Sequence, residues 1–285
     1  MRYSIVLSYS GAGFCGWQRQ PSDPSVQECL EDALGKLLGT AVEVIGAGRT
    51  DTGVNAIGYV ACFDGPEGLA ADDFLYKLNA ILPRSVVVSQ VAPVEPDFHA
   101  RFDARRREYT YFLHRVKDPF MDAYSLLCGY PDLDFEAMNR AAALLVGTHD
   151  FSCFEKVGAD NKTSVCTVFE AEWRPYVPTH IAVCGPGQCE GILRPGNAGT
   201  GLPLRDTDLP FARRGRLPGA DYWYFRISAD RFLRNMVRAI VGTLIEVGRG
   251  KRSLEDFAEL LEGGSRSAAG ESVPGHALFL SGVDY

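Results

Sequence analysis

The chain has 285 residues, of which 46% are hydrophobic, and a formal net charge of −7. This composition predicts a soluble globular protein with a substantial core, and the acidic balance argues against a protein that coats nucleic acid non-specifically. The longest apolar runs fall far short of the roughly 20 residues that a bilayer-spanning helix needs, so a membrane span is excluded.

The first residues predict a strand followed by a helix. Alternating apolar and polar side chains indicate a half-buried strand over residues 2–9, and a glycine-rich loop follows it. Ser25 with Glu28 then forms the sequence pattern of a capping box. Apolar residues recur at helical spacing from there to Gly39, which predicts a helix that ends at this glycine.

The same signals, taken along the chain, predict alternating helices and strands. Strands are predicted at residues 42–45, 58–63, 85–91, 108–115, 163–176, 222–228 and 277–283. Helices are predicted at residues 72–82, 134–146, 231–247 and 254–261, the last of them capped by Ser253. Strands that meet through both hairpins and helices favour an α+β fold with a mixed, mainly antiparallel sheet.

Two compositional features concern the surroundings of the protein. Eight cysteines are scattered without a CxxC pair, which favours reduced thiols in the cytoplasm, and no two Cys/His pairs have metal-ligand spacing, so no metal is expected. Residues 1–8 carry one positive charge and then alternate, so no export signal is visible.

Residues 178–219 are rich in Gly, Pro, Arg and Asp with little periodicity, which indicates an inserted long loop.

The loop at residues 46–56, G-A-G-R-T-D-T-G-V-N-A, is the most informative segment. Its three glycines surround Arg49 and Asp51, and glycines let the backbone bring a carboxylate close to a bulky ligand. Asp51 could instead support a tight turn through bonds to the amides that follow it. The letters D-T-G also occur in aspartic proteases, but those enzymes need two carboxylates that share a proton, and this chain has one such motif.

The pattern G-R-T-D-x-G-V, with G-W-Q-R-Q at residues 16–20, resembles the tRNA pseudouridine synthase A family. Four further segments agree with that family in order and spacing. They are F-H-A-R-F at 98–102, R-E-Y-T-Y at 107–111, F-L-R-N-M-V-R at 232–238 and A-L-F-L at 277–280 with V-D-Y at 283–285. The resemblance therefore covers nearly the whole chain apart from residues 178–219.

The resemblance implies an enzyme, a homodimeric tRNA pseudouridine synthase without a cofactor. Such an enzyme isomerises uridine to pseudouridine at nucleotides 38, 39 and 40 of the tRNA anticodon stem-loop. The implied fold has two α/β halves, residues 1–115 and 116–285, whose sheets join around a central active-site cleft. The expected partners are tRNA and a second copy of the chain, with no membrane.

The resemblance also implies roles for individual residues. Asp51 matches the catalytic nucleophile, Arg238 its ion-pair partner, and Tyr109 the ring that stacks on the flipped base, with a hydroxyl suited to moving the C5 proton. Residues that match substrate-binding positions are Arg49, Tyr109, Leu278, Arg107 and Arg234.

Simpler interpretations of these residues stay open from the sequence alone. Arg234 and Arg238 share a face of the predicted helix 231–247 and could form an ordinary solvated basic surface. Tyr109 with Tyr111 could be plain sheet core, and Arg107 could belong to a solvated cluster at 105–107.

Three features depart from the family pattern. Asn55 stands where many relatives have histidine, and Ser10 stands where an aspartate commonly follows the tyrosine of the first strand. The insertion at 178–219 carries arginines that could extend an RNA-binding surface. An alternative function is a non-catalytic protein that binds or folds tRNA on the same fold, although binding alone needs no aspartate facing a phosphate-rich ligand.

Overall fold

A computed structural model of the protein describes residues 1–69, 71–158, 162–180 and 221–285. The predicted insertion at 178–219 thus lies almost entirely outside the described residues. The helices of the described part are α1 Val26–Leu38, α2 Ala71–Ile81, α3 Phe135–Ala143, α4 Met236–Gly248 and α5 Leu254–Gly263. None of them combines the length and the apolar character that crossing a membrane requires.

The strands of the described part join in one sheet. They are β1 Arg2–Tyr9, β2 Val44–Gly46, β3 Asn55–Asp64, β4 Val86–Pro93, β5 Arg106–His114, β6 Leu126–Leu127, β7 Gly147–Asp150, β8 Val165–Pro175, β9 Tyr222–Ala229 and β10 Leu278–Asp284. The order is β4-β1-β3-β10-β5-β9-β8-β7, with β2 beside β3 and β6 beside β5. Among these pairs, β3 with β10 and β5 with β6 are parallel and the others are antiparallel. The predicted α+β class with a mainly antiparallel sheet is confirmed.

The strand β10 occupies the middle of the sheet. It runs parallel to β3, with Phe279 opposite Asn55, and antiparallel to β5, with Leu278 opposite Tyr111. A segment from late in the chain therefore joins the strands of the early residues to those of the later ones. The division of the chain into halves at residue 115 stays a prediction.

Local sequence signals explain where several elements begin and end. Along β1 every second side chain is buried, as the alternation predicts. The Ser25 hydroxyl caps α1 by accepting from the Glu28 backbone N–H, while the Glu28 carboxylate pairs with Arg19 at 3.5 Å. Gly39 ends α1 with φ +69°, a left-handed conformation that glycine adopts without steric strain.

The helix predicted at residues 231–247 begins later than expected, at Met236. Asn235 has φ +68°, which interrupts helical geometry directly before α4. The Asp230 carboxylate accepts from the backbone N–H of Arg231 at 2.7 Å. This bond stabilises the non-helical segment between Asp230 and the start of α4. The prediction that Arg234 and Arg238 share one helical face is therefore wrong, since Arg234 lies in the loop.

Candidate active site

The Asp51 carboxylate lies between two guanidinium groups. Arg238 Nη1 is 3.4 Å from Oδ2, and Arg234 Nε is 3.9 Å from Oδ1. The side chains of Asp51 and Arg238 are 24% and 23% exposed, whereas that of Arg234 is 60% exposed. The carboxylate is thus charge-paired and partly sheltered, yet a ligand can still reach it.

Arg238 is fixed from two directions. It lies in the first turn of α4, and its Nε donates to the Val273 carbonyl at 2.7 Å. The Val273 backbone N–H in turn donates to the Arg238 carbonyl at 3.2 Å. Because one edge of the guanidinium is held by backbone, the other edge is oriented toward Asp51.

Aromatic side chains hold the loop that carries Asp51. The Tyr9 hydroxyl lies 2.8 Å from Thr50 Oγ1, and the Tyr59 hydroxyl exchanges hydrogen bonds with the backbone of Gly48. Trp17 stacks on Tyr59 with ring centroids 4.2 Å apart. These contacts between buried groups fix the backbone on the N-terminal side of Asp51.

Glycine is required at the start of this loop. A Cβ atom added at Gly46 would lie 2.1 Å from the Tyr59 hydroxyl oxygen and 2.6 Å from the Trp17 ring. Both rings are buried and cannot move aside. The glycine is thus needed for close packing of the loop against the aromatic pair.

Arg107 holds the loop from the other side. Its Nε donates to the Ala47 carbonyl, Nη1 to those of Ala104 and Asp230, and Nη2 to those of Ala47 and Arg101, at 2.6–3.2 Å. All five N–H groups of the guanidinium are thus engaged with backbone. Burial lowers the pKa of Arg107. The geometry therefore favours a positioning role and not the predicted contact of Arg107 with substrate.

Tyr109 and Leu278 lie on neighbouring strands, and Tyr109 is close enough to Asp51 to be affected by its charge. Both are buried, at 8% and 4% exposure, on β5 and β10. The Tyr109 ring packs edge-to-face against Phe232, with centroids 5.0 Å apart. Burial first, and then the charge of Asp51, raises the pKa of the Tyr109 hydroxyl. The site therefore pairs a carboxylate with a phenol that stays neutral.

Two further loop residues differ sharply in their surroundings. Arg49 is exposed and, within the described part of the chain, makes no hydrogen bond or ion pair, so its guanidinium is open to a ligand. Asn55 is buried, accepts from the Gly11 N–H at 2.8 Å and donates to the carbonyls of His276 at 2.7 Å and Leu278 at 3.4 Å. Its amide thus joins the glycine-rich loop to β10.

The structure brings most of the predicted residues together. Asp51 is paired with Arg238 and Arg234, and Tyr109 lies near it. Leu278 lies on the strand next to that of Tyr109, whereas Arg107 holds the backbone of the loop. The sequence analysis missed the bridging role of Asn55 and the interruption at Asn235. A paired carboxylate beside a buried phenol can act as a nucleophile or a base toward a ligand that enters from solvent.

Comparison with known proteins identifies what this arrangement is similar to. The family model described as tRNA pseudouridine synthase matches residues 5–103 and 141–285. A tRNA pseudouridine synthase A from Porphyromonas gingivalis is 43% identical over 286 residues, which cover 100% of this chain and 97% of that protein. Proteins of the same name from Bacteroides fragilis and Bacteroides thetaiotaomicron are 43% and 44% identical, cover 100% of this chain, and are themselves covered over 96% and 90% of their lengths.

Proposed function

The chain belongs to the tRNA pseudouridine synthase family, and we propose that it isomerises uridine at nucleotides 38, 39 and 40 of the tRNA anticodon stem-loop, with Asp51 as nucleophile. The protein is an isomerase that acts on tRNA, and its mixed sheet is consistent with the fold of this family. The observation that carries the assignment to Asp51 is its carboxylate, which lies 3.4 Å from Arg238 and remains open to a ligand.

The reaction exchanges bonds within one nucleotide. The N1–C1′ bond breaks, a C5–C1′ bond forms, the C5 proton is lost and N1 gains a proton, so nothing is gained or lost overall. A redox cofactor or ATP is therefore not required. Asp51 can serve this exchange by attack at C1′ or C6, or by removing a proton from the sugar, and each route uses the same carboxylate.

The neighbouring residues suit the handling of a base outside its helix. A stacked uracil must be flipped out, at a cost of a few kcal/mol, and received by a flat surface. Tyr109 is buried near Asp51 and offers such a ring, and we assign the apolar lining to Leu278, which is buried on the neighbouring strand. Arg49 and Arg234 are exposed and suited to the phosphates of the extruded nucleotide.

We propose further that the enzyme is a homodimer that works in the cytoplasm with tRNA as its partner. All six cysteines in the described part of the chain are free, which supports a reducing compartment. Analytical ultracentrifugation of the purified protein tests the dimer. A sedimentation mass of one chain at micromolar concentration would contradict it.

The decisive experiment maps pseudouridine in a full set of unmodified tRNA transcripts after incubation with purified enzyme, without added metal or nucleotide. We expect conversion at nucleotides 38–40 by the wild type. Asp51→Ala should bind tRNA with similar affinity and convert none, whereas Asp73→Ala, which removes an exposed carboxylate on α2, should convert normally. Conversion by Asp51→Ala, or none by well-folded wild type, would defeat the proposal.

A further inference from the structure

An exposed aromatic ring lies in a turn that Arg107 joins to the loop of Asp51, and it takes no part in the proposed reaction. Phe102 is 75% exposed and lies in the turn before β5. Arg101 Cζ is 5.7 Å from its ring centroid, and the His99 ring is 4.2 Å away at an angle of 31°. We propose that Phe102, with Arg101 and His99, forms a stacking platform for an unpaired base of the tRNA substrate, next to the base that is isomerised.

The turn that carries this platform is held by hydrogen bonds of its own residues. Nδ1 of His99 accepts from the backbone N–H groups of Arg101 and Phe102, both at 3.2 Å. The His99 backbone N–H donates to the Asp103 carboxylate at 2.8 Å. The aromatic ring is thus presented to solvent by a turn that is already ordered, which reduces the entropy lost when a ligand stacks on it.

The turn is also tied to the loop of Asp51. Arg107 Nη2 donates to the Arg101 carbonyl at 2.6 Å and to the Ala47 carbonyl at 2.9 Å, so one nitrogen joins both segments. The Tyr285 hydroxyl donates to the Ala100 carbonyl at 2.7 Å, which supports the turn from below. The platform therefore keeps a fixed position relative to the proposed nucleophile.

The chemistry of the turn suits a nucleotide better than a protein surface. Every base has a π-face that stacks on an aromatic ring, and the phosphate of the same nucleotide can meet the Arg101 guanidinium. The negative charge of Asp103 is bonded to the His99 backbone and lies at the end of the turn. This inference rests on the tRNA substrate of the family, and it adds a contact that the proposed catalytic residues do not make.

The test compares substitutions of Phe102 in the full-length enzyme. An unmodified tRNA transcript is titrated at fixed ionic strength, and its dissociation constant is measured by fluorescence anisotropy. Phe102→Ala and Phe102→Leu should raise that constant about ten-fold, whereas Phe102→Trp should keep it within about two-fold, because tryptophan retains a flat ring and leucine does not. Tyr76→Ala is the matched control, since Tyr76 on α2 is also 75% exposed, and it should bind as the wild type does.

Two outcomes would overturn the platform. One is Phe102→Ala with unchanged affinity and an unchanged melting temperature. The other is Phe102→Ala with unchanged affinity but an altered sedimentation mass, which would make the ring a contact between protein copies. A wild type that converts no uridine would defeat the proposed function, and the affinity series would still decide whether Phe102 contacts the tRNA.

Discussion

Arg238 Nη1 and Asp51 Oδ2 lie 3.4 Å apart although 187 positions separate the two residues in the chain. Nε of the same guanidinium donates to the Val273 carbonyl at 2.7 Å. A single planar group therefore meets a backbone acceptor with one edge and the carboxylate with another. This arrangement needs the geometry of arginine and would not be reproduced by a point charge.

Replacing Arg238 by lysine should therefore separate orientation from charge. We expect Arg238→Lys to lower the single-turnover rate about 10- to 100-fold with tRNA affinity nearly unchanged, because an ammonium group does not hold both partners. Arg234→Ala should lower the rate less than about five-fold, since that pair is longer and exposed. Equal losses in the two variants would contradict the distinction.

The Tyr109 hydroxyl should remain protonated well above neutral pH. Burial and the charge of Asp51 both raise its pKa, so the neutral phenol persists to higher pH than a free tyrosine allows. We expect the single-turnover rate of Tyr109→Phe to follow the same pH profile as the wild type between pH 7 and about 10. An alkaline limb in the wild type that Tyr109→Phe abolishes would show that the phenolate forms in this range.

The left-handed conformation of Asn235 gives a test of backbone strain. Asn235 has φ +68°, and its Nδ2 donates to Ser272 Oγ at 2.7 Å. Asn235→Ala should lower the free energy of unfolding by about 2–3 kcal/mol, because it loses this bond and strains the backbone.

Asn235→Gly is the matched control, because glycine adopts the same backbone conformation freely. Its expected loss is about 1–2 kcal/mol, from the missing hydrogen bond and the greater freedom of glycine in the unfolded chain. Urea unfolding of the two variants makes the comparison. A glycine variant no more stable than the alanine variant would contradict the expected strain.

Signals that act over a few residues could be predicted from the sequence, and the structure agrees with them. The alternation over β1, the cap at Ser253 and the stop at Gly39 each depend on neighbouring residues only. The start of α4 could not be predicted, because helical periodicity continues through residues 231–235 while Asp230 and Asn235 stop the backbone from following it.

Most contacts between segments that lie far apart in the sequence could not be predicted from local sequence patterns. The resemblance placed Asp51, Arg238 and Tyr109 in one site, and the structure has them close together. Arg107 appeared as a substrate contact, because nothing in a run of arginines shows that one of them meets four backbone segments. Local sequence patterns likewise do not show that β10 pairs with both β3 and β5.

A buried histidine makes stability sensitive to acid. His114 is fully buried between Ser125 Oγ at 2.9 Å and Asp122 Oδ1 at 3.2 Å. Burial lowers its pKa below 6.5, although Asp122 opposes the shift. Below that pH the unfolded chain binds a proton that the folded chain does not, so stability is present above about pH 6.5 and falls below it.

The slope of that loss can be measured. A single histidine contributes at most about 1.4 kcal/mol per pH unit. We expect the free energy of unfolding in urea to fall less steeply from pH 7.5 to 5.5 for His114→Gln than for the wild type. Equal slopes of unfolding free energy against pH in the two proteins would mean that a group other than His114 takes up the proton.

The central place of β10 bears on how the sheet forms. Until residues 278–284 pair, no strand lies between β3 and β5, and the Asn55 amide lacks the Leu278 carbonyl as an acceptor. Insertion of this strand pairs Phe279 with Asn55, which lie far apart in the sequence, and such long-range pairing is slow in folding. A chain that lacks residues 278–284 should therefore leave facing edges of β3 and β5 unpaired, and such open strand edges favour association with other chains.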